Sequence, residues 1–225
     1  MFLAGMGRGF VVWLGVVGFV LLCAPGAWAE VIYAEDFTGQ VGKGAVGSGT
    51  GAIIDLSGVE WDIDVSGAKL DSTGDWFDVR DNGGNEQLEG HDLDGRAVWM
   101  SPVIDVSHHE SVEFALFAEG VGDFEGGDHY EVAYQLDGAP AVTVFEFSGV
   151  TGPDPTVLDQ TVTSSVGDGN SLILQVFMEN SADNEYFRLD DVEVTGDLVP
   201  EPGAGVLFLL AAVLVGLRRG GRKSE

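Results

Sequence analysis

Apolar residues recur at every second position through the central part of the sequence. The alternation runs through residues 61–65, 112–119 and 130–136, and acidic or polar residues occupy many of the positions between the apolar ones. A repeat of two places alternate side chains on opposite faces of a β-strand, so these segments predict strands with one buried face. Residues 171–178 are apolar at nearly every position, which predicts a central strand covered on both faces.

Short turn-forming segments separate these runs, and each can supply the positive φ angle that tight hairpins need. They are Asn82-Gly83-Gly84, Asp94-Gly95, Asp137-Gly138, Asp168-Gly169 and Asp183-Asn184. The glycine-rich residues 39–51 predict a surface loop between the first two strands. The central part carries no helical stripe of apolar residues. We therefore predict an all-β, two-sheet antiparallel jelly-roll sandwich of roughly ten to twelve strands, with a closed barrel as the alternative.

Negative charge is concentrated between the two ends of the chain. Residues 30–199 hold 35 of the 37 acidic residues and 5 of the 10 basic ones. A surface of this charge repels nucleic acid and anionic lipid, which excludes both as partners of the central part. Plentiful aromatic and branched residues predict that this part folds despite its charge. Divalent cations would relieve the repulsion, and a merely solvated acidic surface is the alternative.

The N-terminus has the order of a secretory signal. Arg8 precedes an apolar stretch, residues 10–22, and the small residues Ala27 and Ala29 form a cleavage site after Ala29 for signal peptidase. The alternative is an uncleaved N-terminal membrane helix. Cys23, the single cysteine, falls within the signal, so the mature chain would hold no disulfide.

The C-terminus combines a rigid extended segment, an apolar run and a basic end. Two prolines exclude continuation of a helix from the domain, and the apolar residues 204–217 follow them. Together with the preceding residues this run approaches the roughly 20 residues that span a membrane. The basic end should stay cytoplasmic and leave the domain outside; it consists of Arg218, Arg219, Arg222 and Lys223. A permanent tail anchor is the alternative to a processed tail.

The triplet Pro200-Glu201-Pro202, the apolar run and the arginine cluster together resemble the PEP-CTERM sorting signal of Gram-negative bacteria. The resemblance implies recognition by an exosortase, a membrane protease that cleaves near the triplet and releases the body to the cell surface or extracellular matrix. It also implies only transient anchoring in the inner membrane. The predicted organisation is a signal peptide over residues 1–29, a sandwich domain over 30–198 and a sorting segment with its apolar helix over 199–225.

Two pairs of carboxylates form a candidate calcium site. The predicted opening strand ends in Glu35 and Asp36, and the predicted closing strand, residues 187–194, contains Asp190 and Asp191. Apolar residues change from odd to even positions within the closing strand, so a β-bulge at the two aspartates would keep all of them in the core. If the two strands are neighbours, the four carboxylates could bind structural Ca²⁺. The alternative is a pair of solvated aspartates at a strand irregularity.

A second acidic group surrounds the Asp94-Gly95 turn and consists of Glu86, Glu89, Asp92 and Asp94. Its spacing lacks the further oxygen ligands and the distal glutamate of an EF-hand loop. A polar hairpin tip is the favoured interpretation.

Three aromatic residues form a candidate carbohydrate site, because a flat ring stacks on the apolar face of a pyranose and nearby carboxylates accept its hydroxyl groups. They are Trp76, Phe77 and Trp99, and core packing is the favoured interpretation for Trp99, which lies in the apolar residues 97–100. The four histidines lack the spacing of a zinc site, and the chain has no Gly-x-Ser-x-Gly motif. We assign no catalytic residue and predict that the chain is not an enzyme.

The central part also resembles an extracellular jelly-roll module found beside bacterial lamin-tail and endonuclease proteins. The resemblance rests on residues 34–40, 76–77, 92–95 with Trp99, and 188–192, and it implies a fold and calcium binding. The sequence thus predicts an exported surface or matrix protein that acts as a binding or adhesion module, with extracellular polysaccharide as a candidate partner. A secreted carbohydrate-active hydrolase is the alternative.

Overall fold

The computed structural model describes residues 29–149 and 158–199. Within these ranges the chain forms fourteen β-strands and no helix. The strands are β1 Ala29–Glu35, β2 Gly44–Gly47, β3 Ala52–Asp55, β4 Asp62–Gly67, β5 Trp76–Asp81, β6 Glu86–His91, β7 Arg96–Met100, β8 Ile104–Asp105, β9 His109–Val121, β10 His129–Leu136, β11 Val142–Ser148, β12 Leu158–Ser165, β13 Ser171–Glu179 and β14 Tyr186–Leu198.

The strands form two antiparallel sheets that face each other. The large sheet has the order β12-β9-β14-β6-β5-β2-β3, and β1 pairs with β14 beside this path. The small sheet has the order β11-β10-β13-β7-β4, and β8 pairs with β13. Each sheet ends on edge strands within the described part of the chain, so the fold is a sandwich and not the closed barrel. The predicted all-β, two-sheet antiparallel jelly-roll sandwich is confirmed, with more strands than expected.

The core lies between the sheets and consists of the alternating side chains that the sequence pattern predicted. In β9 and β10, for example, Phe114, Leu116 and Val132 are buried. β13 is central in the small sheet, as predicted, but only its even-numbered residues are fully buried. Its outer face is half-exposed and is covered only by long side chains such as Arg96, whose guanidinium lies 3.9 Å from the ring of Phe177. The prediction that both faces of this strand are covered is wrong.

The glycine-rich residues 39–51 contain a strand, β2, where the sequence predicted a continuous loop. β2 pairs with β3 on one side and with β5 on the other. A Cβ atom at Gly44 would lie 2.3 Å from the carbonyl oxygen of Phe77, and one at Gly47 would lie 2.0 Å from that of Ser72. These two glycines allow close approach of neighbouring backbone, a role that the same residue type fills in strands as well as in turns.

The predicted bulge in β14 is confirmed. The pairing of β14 with β9 shifts between Asp190 and Glu193, and Asp191 has a φ of 48°. Apolar residues on both sides of the shift, including Leu189 and Val192, are fully buried. The bulge lies where the other neighbour of β14 changes: β6 pairs with Tyr186 to Leu189, and β1 pairs from Val192 onward. The opening and closing strands are therefore adjacent.

Most of the predicted sorting segments lies outside the described residues. Of the predicted signal peptide only Ala29 is described, and it begins β1; of the sorting segment only Val199 is described. Over the described ranges, no helix has the length and apolar character needed to cross a membrane.

Candidate binding face of the large sheet

Polar and aromatic side chains form two rows across the outer face of the large sheet. Phe77, Val79 and Leu88 face the core. The residues next to each of them along β5 and β6 therefore face outward. The registers of β5, β6, β14 and β9 then bring side chains that are distant in sequence side by side. The aromatic row is Trp76, His91 and Tyr186, and the ionic row is Asp78, Glu89, Arg188 and Glu119.

The aromatic row is a stack of three rings. His91 lies between the other two, with its centroid 4.0 Å from the Trp76 ring and 4.5 Å from the Tyr186 ring, at interplanar angles of 16° and 23°. Each nitrogen of the His91 ring lies near a carbonyl oxygen, Nδ1 at 2.6 Å from that of Gly74 and Nε2 at 2.9 Å from that of Asp183, so the N–H of either tautomer has an acceptor. The buried histidine therefore fixes the orientation of two half-exposed aromatic rings.

The ionic row centres on Arg188. Its Nε donates to Glu89 Oε2 at 2.7 Å, its Nη1 donates to Glu119 Oε2 at 2.9 Å, and its Nη2 donates to Asn82 Oδ1 at 3.3 Å. The other carboxylate oxygen of Glu89 accepts a hydrogen bond from Trp76 Nε1 at 3.0 Å. Glu89, only 3% exposed, thus joins the two rows into one network.

Asp78 occupies the end of the ionic row beneath Arg80. The guanidinium of Arg80 pairs with the Asp78 carboxylate and also lies 4.2 Å from the centroid of the Trp76 ring. Burial raises the pKa of Asp78 to about 6, although the charge of Arg80 opposes the shift. Since His91 stacks on one face of Trp76, the Arg80 guanidinium covers the other.

An acidic cavity of about 520 Å³ lies beside β1 and β14. Three of the four predicted calcium ligands line it, namely Glu35, Asp36 and Asp191. The fourth, Asp190, is buried and accepts a hydrogen bond from Asn85 Nδ2 at 2.9 Å. Burial raises the pKa of both Glu35 and Asp190. In the described residues no three of these four carboxylates come within 4.8 Å of one another, and calcium binding here stays a prediction.

The second acidic group is divided between different environments. Glu89 belongs to the ionic row, while Glu86 Oε2 accepts hydrogen bonds from the backbone N–H groups of Gly39 and Gln40 at 2.6 and 3.0 Å. Asp92 and Asp94 lie between β6 and β7, which belong to different sheets. The predicted hairpin tip is therefore a crossing between the two sheets.

The three predicted carbohydrate-binding aromatics separate between core and surface. Phe77 and Trp99 are completely buried, and only Trp76 is partly exposed. Trp76 and Phe77 are adjacent in β5 and therefore point to opposite faces. This placement corrects the assignment of Phe77 and Trp99, because neither ring presents a surface to a ligand.

Sequence reasoning missed the partners that complete this face, His91 and Tyr186. A single aromatic residue in a polar context was the available signal for each. Their proximity to Trp76 follows from the register of three strands, two of which are far apart in sequence.

No protein-family model matches this sequence, and no curated protein sequence is similar to it. Among solved structures, the chain is similar to the K3 cleaved adhesin domain of Lys-gingipain from Porphyromonas gingivalis W83, with a TM-score of 0.47, 11% identity, and coverage of 75% of this chain and 99% of that one. It is similar to the K1 domain of the same protein, with a TM-score of 0.41, 14% identity, and coverage of 73% and 98%. It is also similar to TmCBM61 in complex with beta-1,4-galactotriose, with a TM-score of 0.40, 12% identity, and coverage of 64% and 91%. These identities are too low to transfer the role of any residue.

Proposed function

We propose that this chain is a non-catalytic binding module of an exported protein, and that the outer face of its large sheet binds extracellular polysaccharide. The observation that carries the proposal is the ring stack, in which Trp76 and Tyr186 are held half-exposed beside the network of Arg188 and Glu89. Trp76 is fixed by stacking and by its hydrogen bond to Glu89, and Tyr186 is fixed by stacking, so both rings lose little conformational freedom when a ligand binds.

Sugar recognition on this face would use the ring of Trp76 and the charges around it. The Arg80 side chain is 35% exposed, and a cation–π contact at an exposed site contributes only about 0.5–1 kcal/mol. A pyranose ring stacks on the indole once the Arg80 guanidinium moves off the ring face. The guanidinium keeps its pair with the buried Asp78 carboxylate and donates its remaining N–H groups to the sugar hydroxyl groups. Both oxygens of Glu89 are already engaged by Arg188 and Trp76, which suits a positioning role better than proton transfer.

A glycan array with the purified full-length chain tests this proposal. We expect retention of a set of polysaccharide fragments by the wild type and at least a tenfold loss of affinity in Trp76→Ala. Phe177→Ala is the matched control, because Phe177 is a half-exposed aromatic residue under an arginine on the outer face of the small sheet. Equal affinity of the wild type and Trp76→Ala would contradict the assignment of the face.

The same preparation separates the module from the alternative, a secreted carbohydrate-active hydrolase. Bound fragments should be recovered intact after prolonged incubation, as measured by mass spectrometry of the eluted sugars. Shortened fragments would contradict the non-catalytic assignment.

Export and sorting belong to the same proposal. Signal peptidase would remove residues 1–29, and an exosortase-type protease would cleave near Pro200-Glu201-Pro202 after transient anchoring in the inner membrane. The destination is the cell surface or extracellular matrix of a Gram-negative-type bacterium. Mass spectrometry of the mature protein should give an N-terminus at Glu30 and a C-terminus near the triplet. A mature form that retains residues 204–217 would favour the permanent tail anchor instead.

A structural calcium ion bound by Glu35, Asp36, Asp190 and Asp191 is a further part of the proposal. Support comes from the direct pairing of β1 with β14 and from the cavity that three of these residues share. Removal of calcium by a chelator should lower the Tm of the wild type, and Glu35→Gln should reduce this effect. A Tm of the wild type that a chelator leaves unchanged would contradict the assignment.

A further inference from the structure

Three carboxylates that no sequence motif marked converge at one end of the sandwich. Glu125 and Asp128 lie in the connection between β9 and β10, and Glu185 lies in the turn that precedes β14. One carboxylate oxygen of each lies within 4.8 Å of the other two. It is the one such group of three acidic, histidine or cysteine side chains over the described ranges, and it is separate from the cavity beside β1.

Two members of this group are buried and have carboxylate oxygens without a partner, although Asp128 Oδ2 accepts a hydrogen bond from the backbone N–H of Glu125. Asp128 and Glu185 are each 1% exposed. Asp128 Oδ1 and both carboxylate oxygens of Glu185 have no hydrogen-bond partner among the described residues. A buried polar atom without a partner destabilises the folded state, and a charged one destabilises it further. A cation among the three carboxylates would remove this cost.

The electrostatic effect of the cluster points the same way. Burial, followed by the charge of Asp128, raises the pKa of Glu185 to about 7. Burial also raises the pKa of Asp128, and Glu125 and Glu179 add to the shift. Burial is the main cause of both shifts, and the negative charge of the neighbouring carboxylates adds to it.

The backbone holds the carboxylates together in spite of that repulsion. A Cβ atom at Gly122 would lie 2.6 Å from the carbonyl oxygen of Asn184 and 2.9 Å from Cα of Glu185, so the two segments are in direct contact. The carbonyl oxygen of Glu185 accepts a hydrogen bond from Asn180 Nδ2 at 2.8 Å, and that of Asp128 accepts one from the N–H of Gly149 at 3.0 Å. The backbone therefore holds the three carboxylates close together before any metal ion binds.

We propose that Glu125, Asp128 and Glu185 bind a calcium ion that joins the β9–β10 connection to the start of β14. The three side chains offer only oxygen ligands, which favour a hard cation. Zinc and copper sites typically use nitrogen and sulfur ligands. Ca²⁺ accepts six to eight ligands in irregular geometry, whereas Mg²⁺ demands a near-ideal octahedron, so carboxylates from two separate loops suit calcium. The negative charge of the chain, −27 at pH 7, raises the local concentration of cations.

Counting bound calcium in variants of the full-length chain tests the site. After treatment with a chelator, titration calorimetry with CaCl₂ should give one ion fewer in Glu185→Gln than in the wild type. Glu146→Gln is the matched control, because the Glu146 side chain is 64% exposed and lies outside the cluster, and it should leave the number unchanged. Equal numbers of bound ions in Glu185→Gln and the wild type would overturn the proposal, as would preferential binding of Mg²⁺.

Thermal unfolding supplies a second, independent readout. In chelator, Glu185→Gln should have a higher Tm than the wild type, because it removes an uncompensated buried charge at constant side-chain volume. In millimolar calcium the order should reverse, since only the wild type gains the binding free energy. Asp128→Asn repeats the test at a second position. The same calcium-dependent gain in Tm for the wild type and both variants would overturn the proposal.

Glu35→Gln distinguishes this ion from the one proposed beside β1. The two sites share no residue, so the loss of an ion in Glu185→Gln should persist in a Glu35→Gln background. If the double variant binds as many calcium ions as Glu35→Gln alone, the proposal of a separate site at Glu185 is overturned.

Discussion

Replacing Arg188 by methionine should destabilise the domain far more than the same replacement at another arginine. The Arg188 side chain is 17% exposed and pairs with the Glu89 side chain, which is 4% exposed, and with Glu119. Methionine preserves much of the side-chain length and removes the charge. Glu89 would then remain buried opposite Asp78 with only the Trp76 N–H as a donor.

The expected loss follows from the burial of the abandoned partner. Removing one member of a buried ion pair costs about 3–5 kcal/mol, because the other charge is left without compensation. In a domain of roughly 150–250 residues each kcal/mol lowers Tm by about 2–4 °C. Arg188→Met should therefore lower Tm by about 6–20 °C, measured by circular dichroism, with the free energy taken from urea unfolding at pH 7.

Arg96→Met is the matched control. The Arg96 side chain is 47% exposed, pairs with Glu131 and covers the ring of Phe177. An exposed ion pair contributes about 0–1 kcal/mol and an exposed cation–π contact about 0.5–1 kcal/mol, so the loss should stay below about 2 kcal/mol. Equal losses in Arg188→Met and Arg96→Met would refute the reasoning.

A double variant isolates the charge itself. Adding Glu89→Gln to Arg188→Met removes the uncompensated carboxylate and should restore much of the lost free energy. If the double variant is as unstable as the sum of the two single variants, the loss comes from packing and not from the buried charge.

Two further changes test the fold and its electrostatics. Because burial raises the pKa of Asp78 from 3.8 to about 6, the folded state binds a proton at Asp78 more tightly than the unfolded state does. This carboxyl alone should lower the free energy of unfolding by roughly 2–3 kcal/mol as pH rises from about 4 to 7. In Asp78→Asn the free energy of unfolding, measured with urea, should change less over this pH range. An unchanged dependence on pH would contradict the assignment. Gly44→Ala should destabilise the domain by several kcal/mol more than Gly51→Ala. Both glycines have a positive φ, but only at Gly44 would a Cβ atom meet neighbouring backbone, 2.3 Å from the carbonyl oxygen of Phe77. Similar Tm values for the two variants would show that no clash occurs.

The sequence predicted those features that depend on side-chain parity within one strand. Alternation identified β9 and β10, and the change of parity between Leu189 and Val192 located the bulge of β14 within two residues. In each case the apolar residues of one strand must reach a single core, which is a local constraint that the sequence carries directly.

Features that depend on contacts between strands were not predictable in the same way. The sequence predicts loop residues at Gly44 and Gly47, because it does not show that the folded backbone places Phe77 and Ser72 against them. Trp76 and Phe77 are neighbours in the sequence and suggest a single site, but adjacent residues in a strand face opposite sides. The carboxylates of Asp128 and Glu185 meet only because two separate connections end at the same corner of the sandwich.

The central place of β14 in the large sheet governs when the domain can fold during synthesis. β14 follows every other described strand in the chain, yet it separates β9 from β6 and β1. A nascent chain without it has two incomplete halves of a sheet with unpaired edges and an open hydrophobic interior. Folding therefore waits for the closing segment to emerge from the ribosome, and until that moment the unpaired strand edges are open to pairing with other chains.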